Sequence, residues 1–129
     1  LLLVHPDDLP FDIGLELLRL GVGEVYIVGG VNAVSSAVET LLTDAEAGFN
    51  MTVHRISGAT RYETAKRVAL EMDVLYGGTP DTAFVVRGDG FADALAVAPY
   101  AYMSGYPVLL TPSATLDAHT SSYLEASGV

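Results

Sequence analysis

The chain has 129 residues, half of them apolar, and 16 acidic side chains against six basic ones give it a formal net charge of −10. That is one domain's worth of chain with enough apolar material for a core, and its acidity excludes nucleic acid, whose phosphates need clustered Lys and Arg. The absence of cysteine excludes disulfides, thiolate metal sites and cysteine nucleophiles, and no apolar run is long enough for a membrane span or a signal-peptide core.

The chain opens on Leu1–Val4, an apolar run that reads as a first strand and, by its abruptness, as the start of a fragment. A helix is expected over 9–20. A strand, Glu24–Val28, leads through Gly29-Gly30 into a helix over 32–43. The third strand, Thr52–Ile56, leads through Ser57-Gly58 into a helix over 60–72. Thr60 and Glu63 make a capping box at its start, and Ala65, Val68, Ala69 and Met72 supply its buried stripe. Glu63 and Arg67, four apart, form an ordinary exposed pair. The fourth strand, Ala83–Arg87, passes through Gly88-Asp89-Gly90 into a helix over 91–103, which Pro99 is expected to kink or interrupt. The last strand is Pro107–Leu110 and the last helix 116–126.

Alternation of this kind predicts an α/β fold with a mainly parallel sheet of about five strands flanked by helices. It also contains an internal repeat. Residues 108–129 can be laid without gaps on residues 1–22, with Leu2/Leu109, Leu3/Leu110, Leu9/Leu116, Leu17/Leu124, Gly21/Gly128 and Val22/Val129 coinciding. The period is 107 residues. Residues 1–50 or so then read as the end of one repeat, and about 51–129 as most of the next.

Ligands of open α/β sheets bind beyond the carboxyl ends of the strands. There the chain places Gly29 and Gly30, Gly58, and Gly88 and Gly90, in turns that lead into helix N-termini. The Gly29-Gly30 turn lacks the third glycine of a dinucleotide fingerprint, and no phosphate-binding Gly-Lys-Ser/Thr occurs, so it is read as a tight turn and no cofactor is expected. His5, His54 and His119 have no metal-ligand spacing, Asp7-Asp8 lacks a calcium loop, and the serines lack a nucleophile elbow. No metal site and no catalytic constellation emerge.

The charged candidates lie on that same edge. Arg61 should point to it from the third helix and Asp93 from the first turn of the fourth, where the helix dipole favours a carboxylate. The two are expected to pair. A structural ion pair tying two loops and direct ligand contact remain open and compatible. Arg55 within the third strand, and Arg87 closing the fourth, are read first as surface arginines. The Arg87-Gly88-Asp89 string is read as a strand meeting a glycine turn, not as an adhesion motif.

Four stretches together carry a resemblance: RISGATRYETAKRVA (55–69), FVVRGDGFADALAVAPYA (84–101), GYPVLLTP (105–112) and VYIVGGVNAVSSAV (25–38). In order and spacing they resemble the cell wall binding repeat 2 family, over nearly the whole chain. The resemblance implies a Rossmann-like or Toprim-like α/β repeat that occurs in tandem in surface and S-layer-associated proteins. Three repeats together would make a trimer-like anchoring unit. It implies an extracellular setting at the cell wall or cell surface, and non-covalent attachment to an anionic wall polysaccharide or teichoic-type polymer without catalysis. The family positions fall on Arg55, Gly58, Arg61, Tyr62, Thr64 and Ala65, then Gly88, Asp93, Ala94 and Leu95, then Pro107, Leu109 and Leu110. A second reading is a structural repeat of a surface array or filament, acting by packing against neighbouring repeats or other copies. A small α/β phosphate-ligand domain or enzyme ranks last, for want of a base–nucleophile pair.

Overall fold

The computed structural model describes all residues from 1 to 129, and the chain divides into two compact units, Leu1–Ser57 and Gly58–Val129. The first unit runs α1 (Phe11–Leu20), β1 (Glu24–Val28), α2 (Ser36–Thr43) and β2 (Thr52–Ile56). The second runs α3 (Arg61–Tyr76), β3 (Phe84–Arg87), α4 (Ala92–Ser104), β4 (Val108–Thr111) and α5 (Ala118–Ser127).

Every strand pairing is parallel, as the alternation requires. β1 lies on β2 in the register Glu24↔Thr52 to Val28↔Ile56, and β3 on β4 from Phe84↔Val108 to Arg87↔Thr111. The architecture is therefore mixed α/β, with two separate two-stranded sheets in place of the expected sheet of about five strands. Leu1–Val4 forms no strand. Its apolarity is right for one, but a strand exists only with a ladder partner, and the nearest bridging is a lone antiparallel one between His5 and Asp8.

Helix boundaries follow their caps. Pro10 precedes α1 and its carbonyl accepts from the amides of Ile13 and Gly14, which puts the start two residues later than expected. α2 begins at Ser36 rather than 32. The Gly30 carbonyl takes the amides of Ala33 and Val34 in a turn, and Ser35 is still extended. α3 continues to Tyr76, where Gly77 closes it in the left-handed region. α4 runs through Pro99 without interruption, correcting the expected break. The helix is solvent-exposed there, so water can reach the Leu95 carbonyl that Pro99 leaves without a donor.

The core of the first unit is Leu9, Leu17, Ile27, Val38, Leu42 and Met51, joining α1, α2 and β1, with Val53 of β2 packed against it. That of the second unit centres on Ala69, Leu109 and Tyr123, from α3, β4 and α5. Tyr123 is buried and its hydroxyl donates to Asp73 Oδ1 at 2.9 Å, tying α5 to α3. Thr120, also buried, donates to the Leu110 carbonyl at 2.6 Å, so its polar atom is satisfied.

α1 and α5 are both ten residues long, start 107 residues apart and end on left-handed glycines, Gly21 and Gly128. They bury different flanks. α1 buries Gly14 and Leu17, whereas α5 buries Thr120 and Tyr123, which correspond at that spacing to Ile13 and Glu16.

Candidate binding site at the carboxyl ends of the strands

In the first unit the site residues form a closed staple. Arg55, on β2 and 15% exposed, donates from Nε and Nη2 to Glu39 Oε2 of α2 at 2.9 and 2.7 Å. Its Nη1 donates to the Gly29 carbonyl at 2.8 Å. The planar guanidinium thus joins a strand, a helix and the turn after β1, a task its fork geometry suits. Gly29 has φ +119°, and a Cβ there would stand 2.9 Å from Cβ of Ala33, so glycine is required twice over. Arg55 is a structural arginine rather than the surface one expected.

In the second unit the turn after β3 is held from α3. Arg61, the first residue of that helix, donates from Nη1 to the Gly88 carbonyl at 2.6 Å. Its partner is that carbonyl and not the Asp93 carboxylate. Tyr62 packs on the same turn: a Cβ at Gly88 would meet Tyr62 Cε1 at 2.5 Å and Leu110 Cβ at 3.2 Å. Arg87 donates from Nε and Nη2 to both carboxylate oxygens of Asp89 at 2.9 Å, so the cation and anion of the Arg-Gly-Asp string close on each other. That pairing holds Asp89 below its ordinary range and raises Arg87. Asp93 sits exposed in the first turn of α4 and contributes to the field that holds Arg87 charged.

The start of α3 is a dense cap. Thr60 Oγ1 accepts from the Glu63 amide at 3.2 Å, while the Glu63 carboxylate reaches one residue past the expected position and accepts from the Ala59 amide at 2.7 Å. The Gly58 amide donates to Thr64 Oγ1, and a side chain at Gly58 would run into that of Glu63. Glu63 also accepts from Arg67, and the amide, then the guanidinium, lower its pKa. Gly30 and Gly90 have open space around them and carry no such packing.

The cations are almost all committed. Arg19 pairs with Glu16, Arg55 with Glu39, Arg67 with Glu63 and Arg87 with Asp89. Arg61 on its carbonyl and Lys66, which donates to Ser122 Oγ at 2.7 Å, are the two without a carboxylate partner. Lys66 was not singled out in the sequence, and the only signal for it was its being the one lysine. No group of three or more His, Cys, Asp or Glu side chains gathers anywhere. The first unit also has an apolar cavity of about 420 Å³ between α1, α2, β1 and the opening leucines, which offers little polar chemistry to orient a ligand.

An α/β module whose strand-end turns are fixed by arginines has the character of a binding domain. The chain belongs to the cell wall binding domain 2 (CWB2) family, whose pattern matches residues 55–128. It is 34% identical over its whole length to N-acetylmuramoyl-L-alanine amidase LytC of Bacillus subtilis, covering 24% of that protein. It is 38% identical to the Amidase enhancer of the same organism, over 85% of this chain and 14% of that one. The structure of Cwp6 from Clostridium difficile superposes with a TM-score of 0.80 at 27% identity, over 95% of this chain and 18% of that one. The chain thus spans about a quarter or less of these relatives. Its setting is the cell wall or cell surface, and none of its helices is long and apolar enough to cross a membrane.

Proposed function

We propose that the chain is a non-catalytic anchoring module that holds an anionic wall polysaccharide or teichoic-type polymer at the Gly88 turn. The observation that carries this reading is the state of Arg61. It is the one guanidinium without a carboxylate partner, and it lies at the carboxyl end of β3 with Nε and Nη2 outside its bond to Gly88. A polymer phosphate or carboxylate can take those donors without breaking an existing ion pair. Asp89 beside it sets a repulsive limit, so binding is expected to strengthen with moderate salt or divalent cations before screening weakens it.

The chain is read as the end of one repeat followed by most of the next. The unit boundary at Ser57, the family match from residue 55 and the spacing of α1 and α5 support this. Wall attachment would then come from several such repeats together.

Sedimentation with purified cell walls tests the site. Arg61→Ala should lower the bound fraction at least tenfold while Arg87→Ala leaves it nearly unchanged. Equal binding by Arg61→Ala and the parent chain would remove the site. Failure of a three-repeat chain to bind walls would remove the function. A second reading, a repeat that acts by packing against other repeats or copies, is favoured by one observation: α4 is apolar yet exposed.

A further inference from the structure

The helices of the second unit run back against its parallel strands. Arg61, at the start of α3, reaches the turn after β3, while α4 starts beyond that turn and ends just before β4. Both helices therefore finish at the amino edge of the sheet, opposite the Arg61–Gly88 contact. Helix C-termini carry partial negative charge and spare carbonyls, so this is the edge that favours a cation. The amides of Gly77 and Gly105 take the carbonyls of Asp73 and Val74 and of Ala101 and Tyr102, but not those of Tyr76 and Ser104, the last residues of the two helices.

Between these helix ends lies a cavity of about 360 Å³, lined by Asp73, Tyr76, Gly78, Thr79, Ser104 and Gly105 among others. Asp73 is its one charged side chain. The Tyr123 hydroxyl donates to Asp73 Oδ1 at 2.9 Å and so fixes the carboxylate, while Oδ2 has no hydrogen-bond partner and no ion pair includes Asp73. The Thr79 and Ser104 hydroxyls are likewise unused within the chain. Tyr76 lines the cavity with its side chain 67% exposed. A metal ion matches this poorly, since calcium takes about six to eight oxygens and no three metal-ligating side chains gather here. An ammonium answers the carboxylate, the helix ends and, by cation–π contact, the Tyr76 ring. Sugar hydroxyls answer Thr79 and Ser104. The volume falls at the low end of the range for small-ligand sites, about 300–1,000 Å³, which is room for one sugar-sized group.

We infer that this cavity binds an amino sugar with a free, protonated amine, which Asp73 Oδ2 receives. The site lies at the other edge of the sheet from Arg61 and stands without the anionic-polymer reading. Glucosamine, N-acetylglucosamine and glucose can be titrated into the isotopically labelled chain at about pH 6, where a sugar amine carries its proton. Glucosamine should shift the amide resonances of Gly78, Thr79 and Gly105 and leave that of Gly88 in place. The two neutral sugars should bind more weakly by on the order of tenfold or more. Asp73→Asn keeps an oxygen for the Tyr123 hydroxyl, and Tyr76→Ala changes an exposed side chain. Both chains should fold and both should bind glucosamine more weakly. Tyr123→Phe should bind it at least as well as the parent, because the carboxylate is then relieved of its neutral partner, whereas an Asp73 that serves only to hold Tyr123 would not distinguish these variants. Arg61→Ala should leave glucosamine binding unchanged. Butylamine, standing for a lysine side chain, should bind more weakly than glucosamine. Equal binding of the neutral sugars, shifts centred on Gly88, or an affinity indifferent to Asp73→Asn overturns the inference, and equal binding of butylamine overturns its assignment to a sugar.

Discussion

Arg61 reaches from the first turn of α3 to the carbonyl of Gly88 at 2.6 Å, and Tyr62, the next residue, fills the space a side chain at position 88 would need. Two consecutive residues thus fix one turn, the first by a hydrogen bond and the second by its ring.

Gly88→Ala should therefore destabilise the second unit. The added carbon meets the Tyr62 ring on one side and Leu110 on the other, and overpacking of this kind costs about 1–3 kcal/mol. Thermal unfolding should show the loss. Combining it with Tyr62→Ala should cost less than the two single changes added together, since the second change removes the obstruction the first runs into.

Arg55 is a harder test of the first unit. Arg55→Met removes the partner of both Glu39 and the Gly29 carbonyl in a partly buried setting, at a cost of about 1–3 kcal/mol in denaturant unfolding. Arg55→Lys should recover only part of it, because one ammonium cannot serve a helix carboxylate and a turn carbonyl in different directions.

Tyr123 separates packing from hydrogen bonding. Tyr123→Phe keeps the ring and loses the bond to Asp73, for about 1 kcal/mol, whereas Tyr123→Ala opens a cavity and costs about 3–5 kcal/mol. Burial, then the Asp73 bond, push the Tyr123 hydroxyl well above its ordinary value of 10.0. In an ultraviolet titration Tyr123 should ionise only after the exposed tyrosines, or with unfolding.

Stability should fall with acid. The Ala59 amide and Arg67 depress Glu63, and Arg87 depresses Asp89, so both are more acidic folded than unfolded. Such groups contribute stability above their unfolded values, and it is lost as pH drops through the folded ones. The melting temperature should decline as pH falls below the ordinary values of 4.5 and 3.8. Glu63→Gln should have the lower melting temperature at neutral pH and a shallower decline.

Much of this structure could be read from residue order, and its failures have a common cause. β1 and β2 coincide with the expected strands, and β3 and β4 lie within a residue of theirs, because valine-rich runs bounded by glycine turns are local signals. Leu1–Val4 carries the same signal, but pairing is not local and no strand forms. Charge is no better a guide to pairing than apolarity is. Asp93 looked like the partner of Arg61 because opposite charges attract, but the direction of a backbone carbonyl, which decided the matter, leaves no mark on residue identity. Arg87 and Asp89 lie two apart at a strand end, a spacing that could have announced their pairing. The exposed side of α4 was equally hidden, since a helix apolar all round does not say which flank faces inward.

α1 and α5 are equal in length and start 107 residues apart, but they are not interchangeable parts. Position 16 is a Glu held to Arg19 in water, and its counterpart 123 is a Tyr sealed against α3. Transplanting α1 into the place of α5 would bury a carboxylate beside Asp73, and the reverse exchange would strand an aromatic ring in solvent. Each helix is fitted to its own neighbour, so the two could be exchanged only together with the surfaces they face.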